Sequence, residues 1–99
     1  MRIGAVVYLN TCPLVAELPR LAPDVEILFD VPSRLAQMLA EGRIDAGVVP
    51  SIEAARHPDW VIVSDACIAC RGQVKSVKLF SRVPIPSIKL LALDEGSRT

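Results

Sequence analysis

The chain has 99 residues, 52% of them hydrophobic, and its 11 lysines and arginines balance 11 aspartates and glutamates, so the formal charge is zero. This length allows one small domain at most, and the interspersed charges form no basic stripe of the kind a nucleic-acid binder needs. No apolar run reaches the roughly 18 residues of a membrane span.

The N-terminus shows neither the apolar core nor the small-residue cleavage site of a signal peptide. Three cysteines, an odd number, fit a reducing compartment better than a disulfide framework. A cytoplasmic protein is therefore expected.

Residues 2–7 are a short apolar run without helical spacing and read as a buried strand. Residues 8–12 make a polar turn. Pro13 then suits the first turn of a helix, where its missing N–H would be unpaired anyway. Leu14, Val15 and Leu18 give that helix an apolar face, and Pro19 should stop or bend it. Residues 25–29 are a second strand, and residues 30–33 a loop ending in a capping side chain, Ser33. Leu35, Met38 and Leu39 follow the i, i+3, i+4 spacing and predict a helix over 34–41, closed by Gly42. Residues 44–49 form a third strand, ended by Pro50. Ser51 can cap a short helix reaching Arg56, before Pro58 breaks the pattern. Residues 60–69 and 74–81 read as extended segments. Pro84 and Pro86 make a turn, and residues 89–93 are a last strand.

The early alternation of strand and helix predicts an α/β fold with a mainly parallel sheet flanked by helices. Ligands of such sheets sit at the carboxyl ends of the strands. Residues 8–11, 31–33, 50–51 and 96–99 fit that position, each putting a small polar side chain where a helix begins or can begin. Together they describe a site for an anionic small molecule at helix N-termini. Ordinary helix capping explains the same side chains equally well.

Five blocks carry a family resemblance: I-G-A-V-x-Y-L-N-T-x-P-L at 3–14, V-P-S-R-L-A at 31–36, G-x-I-D-A-G-V-V-P-S-I-E at 42–53, G-x-V-x-S-V-x-L-F-S-R-V-P at 72–84 and L-D-x-x-S-R-T at 93–99. In this order they resemble the start of the menaquinone-pathway chorismate dehydratases. The resemblance implies a two-lobed fold of the type II periplasmic-binding-protein-like kind, with residues 1–99 as the N-terminal part of the first lobe and the second lobe absent from this chain. It also implies dehydration of chorismate to 3-(1-carboxyvinyloxy)benzoate on the futalosine route, by a hydro-lyase with no metal or organic cofactor. Family members run on well beyond this length, so the activity is expected of the full-length parent and not of this chain alone. The expected partner is the small molecule chorismate, with no nucleic acid and no membrane.

The resemblance singles out Asn10 and Ser76 as catalytic candidates. An amide can donate to and accept from the leaving hydroxyl or a carboxylate, and a hydroxyl can bind a substrate oxygen. Tyr8, Thr11, Ser33, Ser51, Arg82, Ser97, Arg98 and Thr99 are the substrate-binding candidates, Arg98 with a bidentate contact in reach. Competing roles are plain: a turn-forming Asn10, a surface Ser76, capping Ser33 and Ser51, and solvated Arg82 and Arg98.

His57, the single histidine, precedes Pro58 at a helix end, where a cation suits the dipole, and reads as structural. Cys67 and Cys70 have C-x-x-C spacing but lack the second pair of a zinc ribbon. Asp45 and Glu53 read as residues closing strand–helix junctions. Two other functions stay open: the related dihydroxynaphthoate-forming enzyme of the same pathway, and a non-catalytic lobe binding an anionic small ligand.

Overall fold

The computed structural model describes residues 1–74 and 77–96. Its centre is a three-stranded parallel sheet in the order β2-β1-β3, built from β1 (Arg2–Val6), β2 (Glu26–Asp30) and β3 (Ala46–Gly47). Arg2 pairs with Glu26 and Val6 with Asp30 on one side of β1, while Ile3 and Gly4 pair with Ala46 and Gly47 on the other.

Between β1 and β2 the chain forms two short helices, α1 (Cys12–Val15) and α2 (Leu18–Leu21). Pro13 sits in the first turn of α1, as expected, and Pro19 in the first turn of α2. The expected single helix is therefore broken, because Pro19 has no N–H to bond one turn back in a continuous helix.

The helix α3 (Pro32–Ala40) packs across β1 and β3. Val6, Leu35 and Ile44 are buried at the centre, with Leu28, Met38, Leu39, Val48 and Val49 packed around them. The predicted face of α3 is thus the core face. Its C-terminus is a Schellman ending: Gly42 has φ +67°, its N–H donates to the Leu39 carbonyl at 3.1 Å, and the Arg43 N–H donates to the Met38 carbonyl at 2.8 Å. A last helix, α4 (Ser51–Arg56), follows β3.

Several expectations need correction. Val31 caps α3, and Ser33 lies inside its first turn. Pro50 caps α4, and Ser51 is its first helical residue. Neither serine makes a side-chain capping bond. Both helices start earlier than the serine signal implied because Pro32 at the first helical position, and Pro50 with its ring-fixed φ of −58°, preset the entry.

The third strand spans two residues where six were expected, since only Ile3 and Gly4 offer it partners. Among the described residues no strand follows β3, so residues 60–69, 74, 77–81 and 89–93 carry apolar side chains without a ladder, and residues 75 and 76 of the expected 74–81 segment lie outside the described residues. Val61, Phe80 and Leu90 are 80%, 87% and 89% exposed. The radius of gyration, 16.2 Å, exceeds the about 13 Å of a compact 100-residue domain. A strand forms only where another can satisfy its N–H and C=O groups.

Candidate functional site at the carboxyl edge of the sheet

Parallel pairing puts the carboxyl ends of all three strands at one edge, which the chain leaves through Val7, Val31 and Val48. From β1 it passes Tyr8 and enters a 3-10 turn, Leu9–Thr11. Asn10 is exposed in this turn and makes no hydrogen bond to the described residues. Thr11 turns inward. It is 1% exposed, and its hydroxyl is buried without a partner among the described residues, a state that costs about 1–3 kcal/mol. An apolar cavity of about 320 Å³ lies beside it, lined by Tyr8, Thr11, Val15 and Phe29 among others.

At the end of β2 the Asp30 carboxylate accepts the Val31 N–H at 2.8 Å and faces the Arg34 guanidinium at 3.8 Å. Sequence reasoning passed over this residue. The signal was present: an acid after a strand, four residues before an arginine in a helix.

Ser33 joins this edge to a distant part of the chain. Its N–H donates to the Gly96 carbonyl at 3.3 Å, and its hydroxyl donates to the Glu95 carbonyl at 2.9 Å. The Gly96 N–H in turn donates to Asp94 Oδ1 at 3.1 Å, folding residues 94–96 into a tight turn. The Tyr8 hydroxyl lies against the same turn, 3.6 Å from where a Cβ on Gly96 would sit. Of the four places picked from sequence, the Tyr8 loop and the start of α3 thus meet at Gly96, the one described residue of the 96–99 block.

The first-turn N–H groups of α3 are not open to a ligand. Ser33 bonds Gly96, while Arg34 and Leu35 both bond the Val31 carbonyl. Ser51 shares the sheet edge but is exposed and makes no bond to the described residues of the other three places. Arg82 sits in an exposed turn made by Ser81, whose hydroxyl donates to the Val83 carbonyl at 2.7 Å, and no bond among the described residues ties it to the sheet edge. Ser76, Ser97, Arg98 and Thr99 lie outside the described residues.

His57, Glu53 and Asp45 make structural contacts. His57 stacks on Trp60 with ring centroids 4.1 Å apart and lies 3.8 Å from the buried Glu53 carboxylate, which also accepts from Arg56 at 2.9 Å. The Asp45 carboxylate accepts the Arg2 N–H at 2.6 Å, while its own N–H donates to the Arg2 carbonyl at 2.8 Å. Cys67 and Cys70 are exposed free thiols, and no group of three metal-binding side chains occurs among the described residues. No helix there is long and apolar enough to cross a membrane.

Comparison with known proteins adds to this geometry. A family model described as menaquinone biosynthesis matches residues 1–99. A chorismate dehydratase from Thermus thermophilus is 32% identical over 98 residues, which are 98% of this chain and 35% of that relative's length. No solved structure matches. The match runs over every element that forms the sheet edge, and the chain belongs to the menaquinone biosynthesis family.

Proposed function

We propose that this chain is the N-terminal part of the first lobe of a type II periplasmic-binding-protein-like enzyme of the cytoplasm. The enzyme of full family length dehydrates chorismate to 3-(1-carboxyvinyloxy)benzoate on the futalosine route. The convergence of Tyr8, the exposed Asn10 and the 94–96 turn at the carboxyl edge of a parallel sheet carries this reading. The chorismate dehydratase relative supports it. Because the chain spans 35% of that relative's length, activity is assigned to the full-length protein.

Chorismate is a dianion with one ring hydroxyl. Loss of a ring proton and of that hydroxyl makes the ring aromatic, so the reaction has a large driving force. The protein mainly orients the substrate and steadies developing charge. Asn10 makes no bond to the described residues, and its amide donates to the departing hydroxyl. Ser76 binds a substrate oxygen. Ser97, Arg98 and Thr99 hold a carboxylate, Arg98 through a two-pronged contact. One carboxylate of chorismate takes the ring proton.

The test is incubation of the full-length protein with chorismate, and separately with the cyclic futalosine product, followed by chromatography. Conversion of chorismate alone is expected. A folded enzyme that leaves chorismate intact, or that acts only on the cyclic compound, overturns the reading.

A further inference from the structure

The two bonds from Ser33 to residues 62 and 63 positions away have a consequence for the site. We infer that Ser33 is a positioning residue: it fastens the Asp94–Glu95–Gly96 turn to the sheet edge, against the Tyr8 loop that carries Asn10. Its two donors are both spent on this turn, the hydroxyl on the Glu95 carbonyl and the N–H on the Gly96 carbonyl. A donor so used is not free to hold a substrate carboxylate.

Two further observations fix the turn in place. The Asp94 carboxylate accepts the Gly96 N–H, so the turn is internally closed before it meets Ser33. Tyr8 lies on its other side, and Gly96 is half-buried between them, while residues 89–95 around it are exposed. The turn is therefore held by a serine from α3 and flanked by the loop that carries Asn10. Ser33 acts on the site through the turn and does not touch the ligand. This role rests on the reading that the site lies at this sheet edge. The attachment of the turn is measured without substrate, so either can fail alone.

A glutamate-specific protease cuts after Glu95 more readily once the turn detaches, because Ser33 holds the Glu95 and Gly96 carbonyls in the attached state. Cleavage after Glu17, in the exposed junction between α1 and α2, serves as the internal reference. Mass spectrometry of the 99-residue chain should show cleavage after Glu95, relative to Glu17, rising about fivefold in Ser33→Ala, the effect of losing one hydrogen bond. Ser33→Thr keeps the hydroxyl and should return the ratio to that of the unaltered chain.

Equal ratios in all three proteins, or a threonine variant cut as readily as the alanine variant, overturn the role. Should Ser33→Ala fail to fold, a chain ending at Leu93 tests the same bond. Its Ser33 amide should exchange hydrogen about tenfold faster, while the Glu41 amide, bonded to Gln37, is unchanged. An unaltered Ser33 amide in that chain also overturns the role.

Discussion

Ile44 lies directly over Gly4: a Cβ built on the glycine would come within 2.6 Å of Ile44 Cδ1 and within 2.8 Å of Leu35 Cδ2. Ile44 and Leu35 are 2% and 0% exposed, so neither side chain has room to swing away. The close passage of α3 across β1 is possible only because β1 carries no side chain at this point. Gly4→Ala should lower stability by about 1–3 kcal/mol, the range for overpacking a core. Urea titration followed by far-UV circular dichroism checks it. A midpoint unmoved by the methyl group would show that Ile44 and Leu35 repack freely.

Arg2 and Asp45 exchange two bonds, one through the Asp45 carboxylate at 2.6 Å and one through its N–H at 2.8 Å. They tie the start of the central strand to the residue that precedes β3. With β3 only two residues long, this clasp supplies much of the register on that side. Asp45→Ala should cost about 1 kcal/mol. Asp45→Asn keeps an acceptor oxygen and should recover most of it. A thermal melt of both variants decides, and an asparagine variant as weak as the alanine one would argue that the charge itself is required.

Gly42 ends α3 with φ +67° in open space, nothing lying within 4 Å of a built Cβ. A substitution there meets backbone strain and no clash. Gly42→Ala should therefore cost about 1 kcal/mol, the left-handed penalty of an L-residue, and Gly42→Asn less, because asparagine tolerates that conformation. Denaturation midpoints in the order glycine, asparagine, alanine are expected. A reversed order would mean that the Schellman ending is not what holds the turn.

The strands and helices that touch the core were legible in the sequence because burial and periodicity report the same faces: Leu35, Met38 and Leu39 are spaced by helix geometry and do pack inward. Helix starts were misread by one or two residues because serine caps and proline first-turn signals sit side by side at Pro32-Ser33 and Pro50-Ser51, and the proline signal prevailed. The later strands were overread. Residues 61–63 have the composition of a strand, yet pairing depends on a neighbour that composition cannot reveal. At the sheet edge, the meeting of Tyr8 with the 94–96 turn does not follow from the parallel sheet, because no strand among the described residues leads into that turn. The spending of both Ser33 donors on that turn involves residues more than 60 positions apart and leaves no local trace.

Asn10 separates the functional reading from a structural one. It is exposed, lies in the 3-10 turn after β1, and makes no hydrogen bond to the described residues. A change there should leave stability within about 0.5 kcal/mol, as for surface sites away from special features. Asn10→Asp removes the amide donor and sets a negative charge beside a dianionic substrate. Under the proposed chemistry, kcat/KM for chorismate in the full-length enzyme should fall about a hundredfold, the scale seen when one donor to developing charge is lost. A turn-forming asparagine predicts the reverse: a lower melting temperature with turnover per folded molecule unchanged. Measuring both quantities on the same preparation tells the two apart, and unchanged turnover in Asn10→Asp removes Asn10 from the reaction.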